Sequence, residues 1–405
     1  MGVRVLGAPW VLTGRATGPF PSGARPPPPV IRDGAVVLEG DRIRAIASRT
    51  DIEAAHGPVE RLDAILFPAL VNAHLHLELS HLRIPGGRGL ASWIRLLVAA
   101  RAEASDPGPA LSAAVRGLHD AGVAAVCEVT NTLVALPLLA AAGLQGTIFQ
   151  EVFGFSRARI EAALERAREI RAGAGSPPPG LRMALAPHAV YSTEPGRLAE
   201  LLRAGPSSIH LAEDPAERCF CAHGTGPLAA LARDLGAQAL SRTGPSPVAC
   251  TAPHLSPASL VVHAVDLSDE DVALISRAGA TVVLCPRSNL HIGGRLADLP
   301  RLLAAAIPLA IGTDSLASSP SLSPLGELSA LRHAFPTIEP ARLLDLAWNG
   351  DAAGAPAIGR LLPGRSPGIV AADLAGARPD DPAAWLLDAF AAQEGPLAWI
   401  SHPRL

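Results

Sequence analysis

Eight short apolar, β-rich runs recur along the chain with segments of helical period between them, and that alternation restricts the fold more than any other feature. The runs are AILFPALVNAH (64–74), VAAVCEV (123–129), GTIFQEVF (146–153), LRMALAPH (181–188), SSIHLAE (207–213), SLVVHAV (259–265), ATVVLCP (280–286) and PLAIGTD (308–314). Between them lie amphipathic pieces such as RARIEAALERAREIRAG and PGRLAELLRAG. Strand–helix alternation builds a parallel sheet with crossover helices. Eight units match an α/β fold, the (β/α)8 TIM barrel, whose active site lies at the C-terminal ends of the strands.

The flanks do not follow the repeat. Residues 1–63 and 363–405 read as short strands around turns, for example GAVVLEGDRIRAIA and GIVAADLAGA. Neither segment is long enough to fold alone, so the two termini are expected to pair into a small β-sandwich domain beside a catalytic barrel of residues 64–362. The Pro/Gly-rich stretch GPFPSGARPPPP (18–29) reads as an exposed loop of that domain.

Composition removes several function classes. A chain that is 49% hydrophobic and 18% charged folds as a globule, and a net charge of −3 without a basic run speaks against nucleic acid as a partner. The longest apolar stretch, LVALPLLAAAGL, is short and interrupted by proline, so no membrane span is expected. Five irregularly spaced cysteines make no disulfide framework, which fits a reducing cytoplasm, and the pair Cys219 and Cys221 reads as structural. No signal peptide is visible at the start of the chain. All 34 basic residues are arginine, so a Schiff base, a P-loop lysine and a lysine-derived metal bridge are excluded.

Titratable residues gather at the strand ends. His74 closes the first run with His76 two residues on, a spacing that points both imidazoles to one side of an extended chain. His188 closes the fourth run, His210 and Glu213 the fifth, and Asp314 the eighth, while His263 lies in the sixth. Three neutral imidazoles and a carboxylate suit Zn²⁺ with a position left for water, whose pKa the metal lowers to ~7. Fe²⁺ or Mn²⁺ can use the same donors. Glu213, three residues past His210, reaches such a pocket without ligating and suits a proton shuttle. Singly, each of these residues has a plain explanation: a core histidine, or an aspartate capping a turn. Their shared position at strand ends favours the metal site.

The segments FPALVNAHLHLELS, APHAVYS, IHLAEDPAE, VVHAVDLS, LCPRSN and IGTDSLAS follow one another as in the amidohydrolase superfamily, and the chain resembles its mononuclear aminohydrolase branch. The resemblance implies His74, His76, His210 and Asp314 as metal ligands, with Asp314 also accepting a proton. It implies Glu213 as proton shuttle, His263 as partner of the attacking water and its oxyanion, and His188 as a substrate contact. Ala69 and Val190 depart from the residues common in that branch without touching a proposed ligand.

Finer features, including the Trp93 stretch GLASWIRLL, HGTGPLAAL, PRSN and GTDSLAS, look most like aminodeoxyfutalosine deaminases of the menaquinone pathway and their relatives. They imply hydrolytic deamination of a nucleoside bearing a benzoate, with Glu78, Arg287, Trp93 and Ser315 as candidate substrate contacts. For Glu78 and Arg287 a salt bridge at a strand end or pocket rim is the competing explanation. Guanine, thioadenosine, adenosylhomocysteine or halogenated substrates are alternatives, and a catalytically dead scaffold is a third reading that the intact ligand set disfavours. His81 lies off the His74–His76 alternation and reads as a supporting or surface histidine. The partner is a small-molecule substrate; the sequence leaves oligomeric state open, a homodimer included.

Overall fold

The computed structural model describes residues 2–15, 28–103, 106–237, 244–393 and 395–403. Most of the predicted loop at 18–29 lies outside them. The N-terminal part holds strands β1 (Val3–Leu12), β2 (Val30–Glu39), β3 (Arg42–Ser48), β4 (Glu60–Arg61) and β5 (Ala64–Pro68). Then come β6 (Leu70–Leu75), β7 (Val123–Thr130), β8 (Gln145–Val152), β9 (Leu181–Pro187), β10 (Ser207–Leu211), β11 (Ser259–His263), β12 (Thr281–Leu284) and β13 (Leu309–Ile311). The tail adds β14 (Ile369–Asp373) and β15 (Ala398–Ser401).

Strands β6 to β13 form two four-stranded parallel sheets, β6-β7-β8-β9 and β10-β11-β12-β13. Backbone bridges join them at both seams, Leu75 to Asp314 and Ala189 to His210. At the first seam Thr313 N and Asp314 N donate to His74 O at 2.9 and 3.1 Å. At the second, His210 N donates to His188 O at 3.0 Å. The seam between β6 and β13 is tight: a Cβ added to Gly312 would lie 2.7 Å from the Cβ of His74, so only glycine lets the strands approach this closely. All of these strands but β9 are buried on both faces, which is why the sequence shows apolar runs rather than alternation.

The strands of the two flanks enter one sheet, but they meet there through residues 64–68, which the sequence placed in the barrel. The run 64–74 is not one strand. It splits at Ala69 into β5, which lies between β1 and β14, and β6, which opens the parallel sheets. Along β5 the side chains alternate between two cores: Ile65 and Phe67 join the main core, Ala64 and Leu66 that of the terminal sheet. The expected sandwich is, by its pairing, a single seven-stranded sheet ordered β15-β14-β5-β1-β2-β3, with β4 on β1. The ten-residue β1 pairs with β2 along one edge and β4 and β5 along the other, making one continuous ladder. Residues 382–393 do not enter that sheet. They form helical turns against the helices Pro324–Ala334 and Pro340–Ala347, burying Leu386 and Leu387 in the main core.

Because Phe67 is fully buried on the strand that the two cores share, Phe67→Ala is expected to destabilise the protein by about 3–5 kcal/mol. Denaturant unfolding measures it, and a loss below about 1 kcal/mol would mean that β5 does not connect the cores as described.

Candidate metal centre and active-site pocket

The strand ends are bent to bring their side chains together. Ala212, His263, Ala264 and Asp314 all have positive φ, at 55°, 76°, 54° and 56°, just where β10, β11 and β13 stop. This region is unfavourable for residues with a Cβ, at a cost of about 1–3 kcal/mol each, and it persists only where the surrounding structure enforces it. Here the bends turn His263 and Asp314 toward the histidines of β6 and β10.

His74 lies at the centre, fully buried, with neither ring nitrogen hydrogen-bonded. Its ring centroid is 4.8 Å from that of His76, 4.9 Å from His210 and 5.9 Å from His263. His76 Nε2 and His210 Nε2 face each other across 3.2 Å, and His76 Nε2 is 3.7 Å from Asp314 Oδ1. Burial, reinforced by neighbouring imidazoles, pushes His74 and His210 well below the usual histidine range, so both are neutral at pH 7. His210 Nδ1 lies 3.0 Å from His188 O; donating its proton there leaves the Nε2 lone pair for the cluster. Orphaned nitrogens on a buried histidine, set among neutral imidazoles and a carboxylate, fit a single divalent cation.

Asp314 is held on every side. Oδ2 accepts from Ser288 Oγ at 2.5 Å and Ser318 Oγ at 2.9 Å, and Oδ1 from Ser315 N at 2.7 Å. Beside it, Glu213 Oε2 is 3.6 Å from His263 Nε2. Burial, and then the nearby carboxylates of Asp314, Glu217 and Asp214, raise the Glu213 carboxyl well above its usual range. Burial lowers His263 to about 4 although Asp314 opposes the shift, and its Nδ1 is 3.0 Å from Asn289 Nδ2. Burial thus shifts the carboxyl up and the imidazole down, both toward the uncharged form, beside the donor cluster.

A pocket opens over this centre, and His76, His188, His210, Glu213, His263 and Asp314 all line it. Trp93 lines it too, on the helix Leu90–Glu103, as do Glu78 and, at the end of β8, Glu151. Two of the expected substrate contacts do not. Arg287 is absent from the lining; its Nε donates to Glu327 Oε1 at 2.7 Å and its NH2 to Ser321 O at 3.1 Å, because a buried carboxylate claims it. Ser315 is fully buried and orients Asp314 through its backbone instead. Glu78 reaches the wall, yet its carboxylate is committed to Thr130 Oγ1, Asn131 N, Thr132 Oγ1 and Arg101 NH2. His81 lies outside the lining.

Sequence reasoning missed Glu151 and Arg101. Glu151 obeys the strand-end rule that located the other residues and sits 3.5 Å from His210 Nδ1; burial raises its carboxyl to about 8. Since Ser288 makes the shorter of the two hydroxyl bonds to Asp314, Ser288→Ala is expected to weaken divalent-metal affinity by roughly 10–100-fold in a chelator-competition titration. Unchanged affinity would mean that the hydroxyl does not orient this carboxylate.

Residues 65–395 match the model of the amidohydrolase family. The chain is 30% identical over 371 residues to a 5-methylthioadenosine/S-adenosylhomocysteine deaminase of Nitratidesulfovibrio vulgaris, covering 85% of this chain and 80% of that protein. It is 31% identical over 361 residues to the aminodeoxyfutalosine deaminase of Deinococcus radiodurans, covering 78% and 80%. The structure of Helicobacter pylori aminofutalosine deaminase in complex with methylthio-coformycin superposes with a TM-score of 0.80 over 97% of both chains, at 21% identity. An adenosine deaminase from Xanthomonas campestris with bound zinc gives 0.76 over 99% and 92%, at 22% identity. At those identities the two structures speak for the fold. With the family model spanning most of its length, the chain belongs to the amidohydrolase family.

Proposed function

We propose that this protein is a mononuclear metal-dependent deaminase that hydrolytically releases ammonia from an adenine-type nucleoside, with 6-amino-6-deoxyfutalosine the leading substrate. One observation carries the reading: a buried His74 with unpartnered ring nitrogens, ringed by His76, His210 and Asp314, with Glu213 beside them 3.6 Å from His263. The two relatives near 30% identity support the substrate class. The same pair supports a second reading, in which methylthioadenosine or adenosylhomocysteine undergoes the same reaction. In this proposal the two parallel sheets work as one (β/α)8 barrel, and the terminal strands, now including residues 64–68, make a small supporting β domain.

His74, His76, His210 and Asp314 would hold the ion, which we take to be Zn²⁺ because imidazole and carboxylate donors suit it. When bound, such an ion would supply Lewis acidity that lowers the pKa of water to ~7. The chain's residues supply the rest. Asp314 takes a proton from the attacking water and passes it to the exocyclic amino group. Glu213, whose carboxyl burial raises well above its usual range, delivers a proton to the ring nitrogen as the amidine-like carbon becomes tetrahedral. As the C–N bond breaks and ammonia leaves, the proton on the new hydroxyl returns to Glu213. His263, positioned by Asn289, points Nε2 toward Glu213 and steadies the developing oxyanion.

An ammonia-release screen against adenosine, methylthioadenosine, adenosylhomocysteine, guanine and aminodeoxyfutalosine, with metal analysis of the same sample, tests the reading. Turnover of an adenine nucleoside with about one metal per chain is expected; activity confined to guanine or absent throughout would overturn it. Glu213→Gln is expected to keep its metal and lose about 10²–10⁴-fold in kcat, since a general acid–base group typically contributes that factor. Near wild-type turnover would remove Glu213 from the mechanism. Zinc at about 100 times its Kd should stabilise the fold by about 2.7 kcal/mol, seen as a rise in Tm that His74→Ala abolishes.

A further inference from the structure

The pocket wall is apolar along one side and ends in a single cation. Trp93, Leu97 and Arg101 stand at i, i+4 and i+8 on the helix Leu90–Glu103, a spacing that puts them in one stripe facing the pocket. At 1.5 Å rise per residue the stripe runs about 12 Å from Trp93 to Arg101. Phe153 and Phe155 add aromatic surface to the same pocket, and Arg101 is the only arginine among the described residues that line it.

The guanidinium is oriented without being used up. Glu78 Oε2 accepts from Thr130 Oγ1 at 2.8 Å, Asn131 N at 3.0 Å and Thr132 Oγ1 at 2.9 Å, which fixes that carboxylate to the loop after β7. Its Oε1 then receives Arg101 NH2 at 3.2 Å. The remaining contacts, NH1 and NH2 to Asn131 Oδ1, are both at 3.5 Å, the far limit of a hydrogen bond, and the side chain stays 41% exposed. A guanidinium has five N–H donors in a planar fork that matches a carboxylate. Glu78 therefore acts as the post that aims the fork into the cleft.

We infer that Arg101 is a specificity-determining residue that binds a carboxylate on the substrate's substituent, favouring nucleosides whose apolar or aromatic tail bears an acid over those with a neutral tail. The inference rests on the deaminase reading and names the tail chemistry that it leaves open. It also assigns Glu78 a role distinct from substrate contact: it positions Arg101.

The test uses the zinc-loaded full chain and two isosteric adenine nucleosides, 5′-deoxy-5′-(4-carboxyphenylthio)adenosine and its carboxamide. The wild type should favour the carboxylate in kcat/KM. In Arg101→Gln that preference should fall about 30-fold, mostly through KM for the acid, the size of a lost charge-assisted hydrogen bond. Arg101→Lys should recover part of it, because a cation without the fork still attracts the acid. Equal treatment of the two nucleosides by the wild type would overturn the inference while leaving the deaminase reading intact. So would an equal loss on both in Arg101→Gln, the result expected if Arg101 only staples its helix to the loop. Deamination of neither nucleoside by the wild type, nor of adenosine, would sink both together.

Discussion

The structure depends on the burial of His74. An imidazole taken wholly out of water with neither nitrogen partnered is a desolvation cost that an ordinary core histidine avoids. It is tolerable where neutral donors converge to share a cation. The surrounding architecture serves that convergence: Gly312 brings β13 against β6, the positive-φ residues at the ends of β10, β11 and β13 turn side chains inward, and serine hydroxyls orient Asp314. His188 takes part through its carbonyl as well as its ring, since that carbonyl settles which nitrogen of His210 faces the cluster.

The same burial acts on the side chains beside the cluster. Glu213 and His263 are 3.6 Å apart, and desolvation raises the first and lowers the second. Asp314 is held in place by three hydrogen bonds from serines. Distant packing supports this arrangement. The terminal sheet and the main core meet on β5, whose alternating side chains anchor the chain just before it enters β6 and delivers His74.

Much of this was legible in the chain. The spacing His74-x-His76, the strand-end positions of His210, Glu213 and Asp314, and His263 in its apolar run all converge in the structure. They were readable because strand order and strand ends are local properties of the sequence, and a parallel α/β fold turns strand ends into one rim. Arg287, Ser315 and Glu78 were harder to judge. Each is adjacent to a motif, but whether a polar side chain faces substrate or protein depends on which partner lies within 3 Å. For Arg287 that partner is Glu327, forty residues away; for Glu78 it is the loop after β7. Glu151 could have been found by the strand-end rule. Arg101 carried a subtler signal, its place at the end of a stripe of period four.

What the sequence determined by itself was the strand–helix alternation, the chemistry at the strand ends and the absence of any lysine to bridge two metals. Those follow from composition and periodicity, which depend only on neighbours along the chain. The tertiary structure alone decided the partition of 64–74 between two sheets, the tautomer-setting carbonyl on His210, and the commitment of Arg287 to a buried carboxylate while Arg101 faces the pocket. Each of these is settled by a contact between residues remote in sequence, where hydrogen-bond distance and loss of water, rather than residue type, determine what a side chain does.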